Sequence, residues 1–186
     1  MRRLIARYGS SIDADSNKLD RERLLGAIAM VESAGGRNWQ PNFEPAFYIG
    51  GAYWNDHLAE LVNKWQLQAD QVLKEACGRL VAASFGPWQV LYVTAEELGY
   101  SGPPWGLGHP SVCLTYAIKL INKRILPKCT AEDEKGLVAQ IADGYNSGHP
   151  TKGVPPADYI TKVWRFYQDA QLMTVHLDVL PGYLGS

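Results

Sequence analysis

No long apolar run interrupts the 186 residues; nothing approaches the roughly 18–20 consecutive apolar residues that a membrane-spanning helix needs. Charge of one sign is equally scarce in excess. Eighteen Lys and Arg stand against nineteen Asp and Glu, a formal net charge of −1, and the bases form no stripe or arm. Such a chain has little electrostatic attraction for nucleic acid phosphates or for an anionic bilayer. The three cysteines, Cys77, Cys113 and Cys129, are odd in number, widely spaced and without a CxxC pair. Buried free thiols are therefore expected rather than a disulfide framework, with one disulfide plus one free thiol as the alternative. The histidines (His57, His109, His149, His176) are scattered with no HxxxH pair, so neither metal nor cofactor is expected. The opening "MRRLIARYGS" is basic but has only a short apolar patch, well short of a signal-peptide core, so no export signal is expected.

What the chain has in quantity is apolar surface. With 46% hydrophobic residues it can bury one sizeable core without staples. No repeat or linker divides it, so residues 1–186 are read as a single domain, with the chemistry-bearing motifs between about 20 and 170 and a tail, 171–186, without an interpretable motif. The fold class expected is mainly α. Helices are predicted over 21–33 (N-capped by Asp20 and stopped by the glycines at 35–36), about 55–83, 93–99, 111–126 (halted by Pro127), 131–146 and 156–173. Glycine- and proline-rich connectors at 34–53, 99–110 and 147–156 hold many aromatics, including Trp39, Phe43, Phe47, Tyr48, Tyr53 and Trp105. Long connectors in a helical domain commonly carry function. Aromatic rings near Asn and Gln suit carbohydrate, whose C–H faces pack on rings while its hydroxyls need fixed partners.

One carboxylate stands out. The run "GAIAMVES" ends in Glu32, and Leu25, Ile28 and Ala29 lie seven, four and three residues before it, on the same helix face. A solubilising glutamate belongs opposite these residues. In line with them, it is a candidate acid whose apolar setting raises its pKa.

Three further segments accompany it in order: "SFGPWQVLYVTAEELGY" (84–100), "ADGYNSG" (142–148) and "ADYITKVWRFY" (157–167). Together with Glu32-Ser33 they resemble the lytic transglycosylases of the goose-type-lysozyme-like superfamily. That family's pattern is a helix ending in Glu-Ser, a "GLMQ"-like turn followed by "TA..LG", an "AYN.G" segment and a "Y...V..Y" helix. The stretch "NWQPNFEPAFY" (38–48) resembles a subgroup carrying "W..RYEPAFY" after the catalytic helix. The resemblance implies a lysozyme-like single domain, a helical bundle around a glycan-binding cleft, that cleaves peptidoglycan strands as a monomer. It implies Glu32 as the acid/base, Ser33 and Ser84 beside the cleft, and Gln89, Tyr145 and Asn146 holding the sugar and the carboxyl. Leu91 occupies a position where many relatives have methionine, and Glu44 falls in the loop motif as a substrate-binding candidate. Departures are Pro87-Trp88 in place of Leu-Met, which implies a cleft wall of different shape, Asp143-Gly144 in place of alanines, and the long insertion before residue 84.

Most glycosidases use two carboxylates. Candidates for a second are Glu44, Glu96, Glu97 and Asp143; Glu96 and Glu97 read as a solvated helix face, Asp143 as a helix-end residue and Glu44 as a loop anchor. A lytic transglycosylase needs none, because the C6 hydroxyl of the sugar closes a 1,6-anhydro ring. Hydrolysis by a muramidase on the same fold stays open as the alternative, as does a non-catalytic wall-binding or phage structural module. A wall substrate without an export signal implies delivery by a phage, a leaderless route or a chain trimmed at its N-terminus.

Overall fold

The computed structural model describes residues 2–15, 17–33, 38, 40–44, 79–148, 150 and 157–169, and among them the fold is mainly helical. Helix α1 (Arg2–Tyr8) runs into a 3₁₀ turn (Gly9–Ser11). Then come α2 (Arg21–Glu32), three short strands β1 (Asn42–Phe43), β2 (Ala83–Phe85) and β3 (Val90–Leu91), and α3 (Tyr92–Glu97). A 3₁₀ stretch (Pro104–Gly108) precedes α4 (Pro110–Leu120), which a π-helical segment (Ile121–Ile125) and a 3₁₀ turn (Leu126–Lys128) prolong. Helices α5 (Glu134–Ser147) and α6 (Ala157–Gln168) complete the described fold. No described helix is long and apolar enough to cross a membrane.

Helix α2 begins where Asp20 caps it, its side chain accepting from the Arg23 N–H at 3.0 Å. Every residue from Leu24 to Met30 is buried. The helix therefore has no solvent face along this stretch and is the central element of the core. At roughly 1.5–3 kcal/mol for each fully buried Leu or Ile, Leu24, Leu25 and Ile28 are its main anchors. Helix α6 packs across α2 and also against α5, presenting buried Val163 and Tyr167. The Tyr167 hydroxyl accepts from the Asp20 N–H at 2.8 Å and donates to Glu134 Oε1 at 2.5 Å, which ties the N-termini of α2 and α5 together. Helix α5 is capped by Asp133, which accepts from the Gly136 N–H, and ends at Gly148 in the left-handed region (φ 76°).

The strands form one small antiparallel sheet in the order β1-β2-β3, pairing Asn42 with Ser84 and Ser84 with Leu91. The turn between β2 and β3 (86–89) is tight. Gly86 has φ 69°, and a Cβ there would meet Cys113 Sγ at 2.9 Å, so only glycine lets α4 approach this turn.

Several boundaries differ from the sequence reading. The predicted 111–126 helix leaves α geometry at Leu120, and Pro127 lies within the closing 3₁₀ turn instead of beyond the helix; proline is tolerated there because early N–H groups of a turn have no intrahelical acceptor. Helix α6 stops at Gln168, short of 173, and α5 starts at Glu134, after its capping aspartate. Helix α1 and the sheet were not expected. Cys113 is buried and Cys129 half-buried, both free thiols. The glycine stop at 35–36, most of the 55–83 helix, the aromatics Trp39, Phe47, Tyr48 and Tyr53, Cys77 and the 171–186 tail lie outside the described residues.

Candidate active site

Glu32 is the last residue of α2, so its carboxyl emerges where the buried helix meets the surface. It opens on a cleft of about 840 Å³. One wall comes from the sheet: Asn42, Glu44, Ser84, Gln89, Val90 and Leu91. A second comes from the end of α4 and its π-helical continuation, with Leu120, Arg124, Ile125 and Lys128. The third is the C-terminal end of α5, from Gly144 to Gly148. The lining is rich in Asn, Gln and Ser, with Leu91 and Ile125 as apolar patches.

Burial pushes the Glu32 carboxyl up from 4.5 to about 7, because a desolvated carboxylate is disfavoured. A hydrogen bond from the Tyr159 hydroxyl to Oε1 favours the charged form and pulls the other way, while the negative charge of Glu44 adds to the rise. The result is a carboxyl poised to hold or give a proton near neutrality, the range where general acid/base chemistry is effective. Tyr159 itself is held neutral, its pKa raised by burial and by Glu32. Its role was not assigned from the sequence. The available signal was that Tyr159, Val163 and Tyr167 recur every four residues on one face of α6, and a buried tyrosine hydroxyl needs a partner.

Gln89 is the one described non-glycine residue with positive φ (44°), a conformation that costs about 1–3 kcal/mol and persists only where surroundings enforce it. Its amide is fixed at both ends. Nε2 donates to the Gly86 carbonyl at 2.9 Å, and Oε1 accepts from Ser84 Oγ at 2.8 Å. Ser84 and Gln89 thus form one rigid polar unit on the sheet wall of the cleft. Tyr145 donates to the Trp88 carbonyl at 2.8 Å, and burial raises its pKa well above the ordinary value. It clamps the β2–β3 turn to α5, while the neighbouring Asn146 is exposed in the cleft.

Ser33 does not line this cleft. It is fully buried, with Oγ donating to the Ala29 carbonyl at 2.6 Å. Trp88, expected to reshape the cleft wall, is instead core: it is completely buried and donates from Nε1 to the Leu25 carbonyl at 2.9 Å. The Gly144 departure has a steric reason, because a Cβ there would meet Ile125 Cγ2 at 2.7 Å.

The four second-carboxylate candidates separate cleanly. Asp143 is buried and accepts from Ser147 Oγ at 2.9 Å, outside the cleft lining. Glu97 pairs with Arg124 at 2.8 Å, and neither it nor Glu96 lines the cleft. Glu44 does, held by a hydrogen bond from Asn42 Nδ2 at 2.7 Å and by its own N–H to the Ala82 carbonyl. Among the described residues no cluster of His, Cys, Asp and Glu could hold a metal ion. No protein-family model, curated protein or solved structure matches the chain.

Proposed function

We propose that the protein is a glycan-cleaving enzyme of lysozyme-like fold, a peptidoglycan lytic transglycosylase with Glu32 as its single acid/base. The observation that carries this reading is the carboxyl of Glu32, raised to about 7 by burial and hydrogen-bonded by Tyr159, at the edge of a polar cleft. The ordered motifs in which it sits supply the substrate class. No cofactor takes part.

In this reading, protonated Glu32 donates to the glycosidic oxygen of the bond between muramic acid C1 and the next glucosamine. The C1–O bond breaks with its electron pair on the leaving oxygen, and positive charge develops at C1. The Glu32 carboxylate then accepts the proton of the C6 hydroxyl as O6 bonds to C1. Atoms balance without water, and Glu32 ends protonated. Tyr159 positions the carboxyl and eases its ionised stage, since its hydrogen bond favours the charged form. Ser84 and Gln89 offer a pre-set amide to sugar hydroxyls, and Asn146 a second polar contact. Fixing geometry in this way is worth orders of magnitude in rate.

A second reading, hydrolysis by a muramidase, is favoured by one observation: Glu44 lines the same cleft, and its charge acts on Glu32. Glu44 would then hold the attacking water. A wall substrate puts the proposed site of action in the periplasm or outside the cell. The test is clearing of a purified peptidoglycan suspension by wild type, Glu32→Gln and Glu44→Gln. Both readings expect loss in Glu32→Gln; clearing retained in Glu44→Gln supports the transglycosylase, loss in Glu44→Gln together with reducing-end fragments from wild type supports hydrolysis, and no clearing by wild type removes both.

A further inference from the structure

The charges of the cleft are sorted by wall. Its acids, Glu32 and Glu44, come from α2 and the sheet side, and its bases, Arg124 and Lys128, from the helical run after α4. The segment that carries Arg124 is the π-helical Ile121–Ile125, a rare geometry found mostly as single turns within α-helices and frequent at functional sites. It is firmly held. Ile121 and Ile125 are buried, and Asn122 donates to the Ser11 carbonyl at 2.7 Å and accepts from the Asp13 N–H at 3.1 Å. Arg124 is partly neutralised by Glu97. Lys128 is exposed and has no acidic partner among the described residues.

An open cleft that carries its acids on α2 and the sheet side and its bases on the helical run after α4 is suited to a ligand that is neutral at the reacting bond and anionic to one side. We propose that Lys128, with Arg124, binds carboxylates carried by the glycan, and so selects acid-substituted strands over neutral β-1,4-linked amino sugars. This rests on the glycan-cleaving reading of Glu32. The acidic substituent then faces the π-helical wall, away from the repulsion of Glu44. Glu97 is then a restraint on Arg124, and removing its charge strengthens the wall.

Binding is read by calorimetry in the Glu32→Gln chain, which avoids turnover. The probes are glycan strands stripped of peptide but retaining their lactyl carboxylates, and the same strands with those carboxylates converted to amides. Adding Lys128→Gln is expected to weaken the acidic strands about fivefold, the worth of one exposed charge pair near its upper range, and to leave the amidated strands unchanged. Adding Glu97→Gln instead is expected to tighten binding of the acidic strands only. Equal effects on both strands, or none on the acidic ones, overturn the proposal and leave the glycan reading intact. Failure of the Glu32→Gln chain to bind either strand, with no clearing of peptidoglycan by wild type, overturns both.

Discussion

Replacing Glu32 with Gln is expected to make the protein more stable at alkaline pH. The folded state holds the Glu32 proton more tightly than the unfolded chain does, with a pKa of about 7 against 4.5. Below about pH 4.5 the group is protonated in both states and contributes no pH-dependent penalty. Between about pH 4.5 and 7 the unfolded chain releases this proton while the folded state keeps it, so stability falls across that window and levels off above about 7, where both states are ionised. The full difference corresponds to about 3 kcal/mol above pH 7. Gln carries no titrating proton, keeps the volume and still accepts from Tyr159. Urea denaturation of wild type and Glu32→Gln at about pH 4 and about pH 8 gives the two differences. The variant is expected to gain up to about 3 kcal/mol at the higher pH and to differ little at the lower. The comparison cancels the titrating groups that do not interact with Glu32. A variant no more stable than wild type at the higher pH would refute the claim that burial holds this carboxyl in an unfavourable ionised state.

Three other substitutions probe the site and its scaffold. Tyr159→Phe removes the hydrogen bond that favours ionised Glu32, so the Glu32 midpoint, followed by carbon NMR of its carboxyl, is expected to climb by about one to two pH units; an unchanged midpoint would contradict the contact. Glu44→Gln removes a like charge and is expected to lower the same midpoint by less than about one unit, because burial is the larger cause; a rise would contradict the placement of Glu44. Gly144→Ala would ordinarily stabilise a helix, but its methyl would meet Ile125 at 2.7 Å. A net loss of about 1–3 kcal/mol in urea denaturation is therefore expected, and a gain would show that the contact relaxes freely.

What could be read from the sequence was mostly local. The α2 helix, its Asp20 cap and the alignment of Glu32 with Leu25 and Ile28 follow from spacing within a dozen residues. The structure adds that α2 is buried on all sides from Leu24 to Met30, so the apolar setting of Glu32 is more complete than one helix face implies. The sheet was not legible because strands of two or three residues carry no period. The π-helical turn was not, because apolar spacing in "LINKRIL" fits an α-helix as well. Tyr159 reaches Glu32 across 127 residues, a pairing that no local pattern encodes. Trp88 shows a different limit: its place in a cleft-forming motif implied a cleft wall, whereas its size and its indole N–H put it in the core against Leu25. Of the four acids, the sequence reads Glu96 and Glu97 as a solvated face, Asp143 as a helix end and Glu44 as a loop anchor, and tertiary packing brings only Glu44 into the cleft.

The most direct test of the central claim is mass spectrometry of soluble fragments released from purified peptidoglycan by wild type and Glu32→Gln in parallel. The account expects fragments ending in 1,6-anhydromuramic acid from wild type and none from the variant. Fragments from Glu32→Gln at the wild-type level, or none from wild type, would contradict the assignment of Glu32 as the acid/base; reducing ends from wild type alone would keep Glu32 and replace ring closure by attack of water.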